Sequence, residues 1–257
     1  MKYSVTHKAV IGGDNRIEFP ATLLKVEDVA HPNATISVQA TFAPSCLSVM
    51  IECETTDSQD VVTQWARAKV DRILNRISFE YGLPIAEAGP PTVRCTPADG
   101  SSTCTVGGTI DCCPATCREI AVEDVRKALD PAGAPDDAKC YWLRHALSNE
   151  NLVARYMLLF RLLLDEKGPT QGAVDNFIRA QFTRYKGCAV EERPSTRPGA
   201  RPGQTETAFT KLRNEVGHVS PSQAQASTQP DIQNTVAEIR KFCPDLVWLV
   251  KQAMCGR

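Results

Sequence analysis

The period of the apolar residues changes once along the chain, and that change limits the architecture more than any single motif. Up to about residue 56, short runs rich in β-branched residues occur at 2–6, 16–19, 22–26, 34–42 and 47–53. A period of two turns one face of each run inward, so a small antiparallel sheet is expected. Gly12, Gly13, Asp14 and Asn15, and later His31, Pro32 and Asn33, supply turn chemistry between the runs. From Ser58 the spacing becomes helical, with Val62, Trp65, Ala66, Val70, Ile73, Leu74 and Ile77 on one stripe. Asp57 or Ser58 suits its N-cap, and Gly82 with Pro84 ends it. This helix is expected to pack on the sheet.

The C-terminal half reads as helices. The strongest covers residues 142–165, its stripe running through Leu143, Leu147, Val153, Tyr156, Phe160 and Leu163. Others are expected at 171–185, 205–217 and 231–254, and Pro244 should kink or break the last near Phe242. Residues 89–138 hold many Gly, Pro, Ser, Thr and Cys and little periodicity, which suits a linker or insert with one short helix at 122–129. The expected class is α+β: a β-rich domain with a packed helix at 1–88, the insert at 89–138, and an all-α four-helix domain at 139–257.

With 29 basic against 30 acidic side chains, the 257-residue chain has no global field to attract nucleic acid or membrane, so an anion site must be built locally. Local excess does occur: Arg179, Arg184, Lys186, Arg193, Arg197, Arg201, Lys211 and Arg213 face only Glu191, Glu192 and Glu206 over the same stretch. The Arg/Pro/Gly-rich loop at 192–203 could track a phosphate backbone through Arg193, Arg197 and Arg201, with Lys211 beside it; a solvated loop would look the same. No run is long and greasy enough for a secretory signal or a bilayer span, which leads us to expect a soluble, cytoplasmic protein. Eleven cysteines without an export signal suit reduced thiols. Cys95, Cys104, Cys112, Cys113 and Cys117 cluster in the insert, but adjacent cysteines with a three-residue gap do not match paired C-x-x-C knuckles, so neither metal nor cofactor is expected.

The stretch TKLRNEVGHV at 210–219 is the densest chemistry in the chain. On a helix Asn214 and His218 lie one turn apart on a shared face, and Arg213 sits about 100° round from Asn214. A guanidinium fork and an imidazole can then converge on one anion. Gly217 and Pro221 place His218 at the helix C-terminus, where the macrodipole favours imidazolium while Arg213 opposes it. The same residues also suit an ordinary solvated helix end.

Arg-Asn-x-x-x-His near the end of the third helix of a four-helix unit resembles the HEPN superfamily over residues 140–255, and the front half, with RILNRISFEYGLPI at 72–85, is similar to ApeA-like and MauJ-like proteins. The resemblance implies metal-independent RNA cleavage by attack of the ribose 2′-oxygen on the adjacent phosphate. It assigns proton transfer to His218, charge stabilisation to Arg213, and orientation of the histidine or the phosphate to Asn214. It further implies a homodimer through the helical domain, and a toxin or antiviral defence effector held in check by an antitoxin or regulatory partner. The alternative is a non-catalytic dimeric module for interaction or nucleotide sensing.

Overall fold

The computed structural model describes residues 1–12, 15–18, 22–25, 31, 33–41, 46–96, 116–119, 136–195, 201–217 and 230–256. Gly13, Asp14, Pro32, the helix expected at 122–129, Cys104, Cys112, Cys113, Arg197, His218 and Pro221 lie outside them. Antiparallel sheet and helices coexist, so the chain is α+β. It divides into two compact units, 1–148 and 149–257.

In the first unit, β1 (Lys2–Ile11) is the organising strand. One edge pairs antiparallel with β5 (Cys46–Glu54) along most of its length. The other edge takes β6 (Ile85–Glu87) at one end and β7 (Thr92–Thr96) at the other. Beyond β5 lie β4 (Thr35–Thr41) and β3 (Thr22–Lys25), also antiparallel. β2 (Asn15–Glu18) stands apart and pairs parallel with β8 (Thr116–Glu119). The insert therefore contributes β7 to the main sheet, an outcome its weak alternation conceals because the unpaired edge of β1 is what recruits it.

Alternation decides which face is covered. Val5, Ala9, Ile11, Ile36, Val38, Val49 and Ile51 are buried and share one core with Val62, Ala66, Val70, Ile73, Leu74 and Ile77 of α1 (Gln59–Tyr81). Ser58 caps α1 by accepting from the Val61 N–H, and Gly82 closes it in the left-handed conformation at φ 66°. α2 (Asp137–Leu147) packs on α1 through Cys140, Leu143 and Leu147, and the pairs Arg144 with Asp71 and Arg72 with Asp137 lie alongside. The expected helix over 142–165 is thus two helices. Ser148 donates to the Ile85 carbonyl, Asn151 caps the next helix, and α2 joins the first unit rather than the C-terminal helices. Burial pushes the Cys140 thiol up to about 12, which keeps it protonated and inert.

His7 also points into this core. It is 4% exposed, and its Nε2 meets no hydrogen-bond partner among the described residues. Burial lowers its pKa, opposed by Asp71 and reinforced by Arg67, so the ring is neutral in the folded protein. A histidine with a depressed folded-state pKa contributes stability above its unfolded value, about 6.5, that is lost as pH falls through the window between the two. Urea unfolding of the wild type should therefore weaken below neutrality by at most about 1.4 kcal/mol per pH unit from this group, and His7→Leu should flatten that slope. An unchanged slope in His7→Leu would remove the assignment.

The second unit is helical. α3 (Leu152–Lys167) and α4 (Gln171–Gln181) are capped by Asn151 and Thr170, and α4 runs on into a π turn, Phe182–Lys186. A short hairpin, β9 (Glu192–Pro194) with β10 (Thr205–Thr207), leads directly into α5 (Ala208–Gly217), and α6 (Pro230–Met254) closes the unit. Tyr156, Phe160, Leu163, Phe209, Leu212, Leu246 and Val250 are buried between the helices. The stripe on α6 that could have served a dimer therefore lies in the unit's own core. Pro244 neither ends nor breaks α6, whose helical hydrogen bonding continues past it. Proline leaves the carbonyl four residues earlier without a donor, and both Pro244 and Arg240 are exposed, so water can reach that carbonyl. No helix among the described residues is long and apolar enough to cross a membrane.

Candidate active site

The hairpin and the helix that follows it build the site from adjacent residues. In β10 the pleat turns Thr205 outward and Glu206 inward, and Glu206 and Thr207 are fully buried. Thr207 Oγ1 accepts from the Thr210 N–H at 3.4 Å, which fixes the first turn of α5. Two turns on, Asn214 is 5% exposed on the face that looks back at the hairpin. Its Nδ2 donates to Glu206 Oε2 at 3.2 Å, and its Oδ1 accepts from Gln171 Nε2 at 2.7 Å and from Arg213 Nη1 at 3.1 Å. An arginine can only donate, so the amide oxygen must face Arg213 and this network permits one orientation of the amide. Ser195 Oγ donates to the same Glu206 oxygen at 3.4 Å.

Arg213 itself is half-buried, and among the described residues its guanidinium meets no carboxylate. One of its nitrogens is anchored and, among the described residues, no carboxylate pairs with its charge, which is the state an anion-binding arginine needs. α5 is described as far as Gly217. Arg213 and Asn214 are brought together on it, and His218 follows immediately in the chain, outside the described residues.

The other expected cations divide. Arg193 forks across Glu191 and Glu238 at 2.7 Å to each, with its side chain only 19% exposed, and its presence holds the Glu238 carboxyl below its usual range. It serves as a clamp between the hairpin and α6. Lys211 lies 3.6 Å from Glu215 one turn along α5. Arg201 is exposed and borders a shallow hollow with Ser195, Gln204 and Thr205. Arg197 is outside the described residues. Among those residues no group of histidine, cysteine, aspartate and glutamate is placed to hold a metal ion.

Sequence reading missed the buried half of the site. Glu206 and Gln171 hold Asn214, and Asp175 accepts from Thr207 Oγ1 at 2.7 Å, Thr210 Oγ1 at 2.6 Å and the Thr207 N–H at 3.2 Å. Thr207-Ala-Phe-Thr210 before a helical stripe was a legible cap signal; the α4 partners had no local signal at all. Compared with models of known families, with curated proteins and with solved structures, the chain matches none. The functional reading therefore rests on these side chains.

Proposed function

We propose that the chain is a metal-independent endoribonuclease of the HEPN type, its second unit serving as the four-helix HEPN-like domain. The observation that carries the reading is an arginine held by a locked amide on α5, a short way upstream of a histidine in the chain. In this mechanism Arg213 binds the phosphate and stabilises the charge that develops on it, while His218 moves the proton of the attacking 2′-hydroxyl. Asn214 acts through Arg213, since both of its polar atoms are engaged within the protein. A homodimer would set two such pairs beside each other. A toxin or defence effector restrained by a regulatory partner is the biological role that fits an RNA-cleaving centre of this kind.

The network of buried Glu206 and Asn214 with half-buried Gln171 also suits a purely structural role, which favours the second reading, a non-catalytic dimeric interaction or nucleotide-sensing module. Purified protein incubated with total RNA in EDTA separates the two. Cleavage leaving 2′,3′-cyclic phosphate ends, lost in His218→Ala with fold and oligomeric mass intact, is the expected result. Products unchanged in His218→Ala would sink the ribonuclease reading.

Glu206 provides a finer test of positioning. Glu206→Ala removes one of the three contacts that hold the Asn214 amide and strands its Nδ2, and kcat should fall about tenfold with a smaller change in KM. Glu206→Gln keeps an acceptor oxygen and should recover most of the loss. Equal activity in all three forms would show that the amide lock is irrelevant to catalysis.

A further inference from the structure

The π turn after α4 carries a group of side chains that neither the fold nor the proposed chemistry uses. Tyr185 is 45% exposed, and Arg184, also exposed, lies with its guanidinium 5.0 Å from the Tyr185 ring centroid. Trp248 of α6 meets Tyr185 edge-on at 6.4 Å and meets buried Phe182 at 6.0 Å, so the exposed ring is braced from the core outward. Lys186 sits 5.2 Å from the Trp248 ring and 2.6 Å from Asp245. A π turn adds one residue to the helical repeat, and here that residue lets Phe182 go inward while Tyr185 stands out.

We infer that Arg184 and Tyr185, braced by Trp248, form a stacking site for an unpaired base of single-stranded RNA. A flat ring held by an edge contact loses little freedom on binding. The guanidinium provides a second planar surface, and it can also swing from the ring to an adjacent phosphate. Among the described residues, Arg184 and Lys186 stand against the carboxylate of Asp245, which gives the patch the sign a polyanion requires. A greasy protein partner would be served by apolar area, yet the exposed surface here is one aromatic ring with a charge on its face. Duplex RNA keeps its bases stacked on one another and offers nothing for Tyr185 to hold. The site rests on the ribonuclease reading only in taking RNA as its ligand.

The test uses the full-length protein and a fluorescent single-stranded oligonucleotide with 2′-O-methyl riboses, which cannot be cleaved through a 2′-hydroxyl. Binding therefore reports on the platform whether or not Arg213 and His218 catalyse anything. Tyr185→Ala and Arg184→Ala should each weaken binding about tenfold, and Tyr185→Phe should stay within about twofold of wild type. A blunt duplex of the same sequence should be insensitive to Tyr185→Ala. Unchanged single-strand affinity in both alanine variants would overturn the site, as would an equal loss on the duplex. A fall in sedimentation mass in Tyr185→Ala with RNA affinity unaltered would assign the patch to a second copy of the chain and overturn it equally. Cleavage that ignores Arg213→Ala while Tyr185→Ala loses binding would remove the ribonuclease and leave the platform standing.

Discussion

Arg213→Ala should lower the rate of RNA cleavage by about 10²- to 10³-fold, the usual loss when one group that stabilises developing charge is removed. The fold should hardly notice. Arg213 is half-buried and, among the described residues, contributes one hydrogen bond, to an Asn214 oxygen that Gln171 still occupies, and forms no ion pair. The cost to stability is then within about 0.5 kcal/mol, measured by urea unfolding. Asn214→Ala should separate from it, because that change strips partners from buried Glu206 and half-buried Gln171 and so lowers stability and activity together. Arg213→Lys restores the charge without the planar fork and should regain little of the rate. Full cleavage by Arg213→Ala in EDTA would contradict the assignment, and unfolding of that variant would contradict the structural half of the argument.

Local signals carried the sequence reading as far as they reach. The α1 stripe, its Ser58 cap and its Gly82 stop are all encoded within one helix, and each is found where the spacing predicts. The gap between α2 and α3 is overlooked when Leu143, Leu147, Val153, Tyr156 and Phe160 are joined into one stripe; the step from Leu147 to Val153 swings the apolar face about 120° off at 3.6 residues per turn, and the Ser-Asn-Glu-Asn chemistry of residues 148–151 marks the same break. β7 was hidden because its partner, β1, begins the chain. Within the site, Arg213 and Asn214 are neighbours in sequence and could be read as a unit, whereas Gln171 reaches Asn214 from another helix and Glu206 from a strand. Periodicity reports which face is buried; it has no means of naming the polar partner waiting there.

The largest stability effect should fall on a residue without chemistry of its own. Asp175→Ala should destabilise the protein by about 3 kcal/mol, within the range for stranding buried donors that had been bonded to a carboxylate. Asp175 is 3% exposed, and a single one of its oxygens receives the Thr207 hydroxyl, the Thr210 hydroxyl and the Thr207 N–H. Those donors belong to the residues that turn β10 into α5, and Thr207 and Thr210 are fully buried, so water cannot replace the lost acceptor without opening the unit. Asp175→Asn keeps one acceptor oxygen and should cost less than half as much. Because Asp175 fixes the start of the helix that carries Arg213 near its other end, Asp175→Ala should also reduce cleavage at temperatures where the protein remains folded. A denaturation midpoint within error of wild type for Asp175→Ala would show that the hairpin and α5 are joined by their apolar contacts alone, with Phe209 and Leu212 sufficient to set the helix.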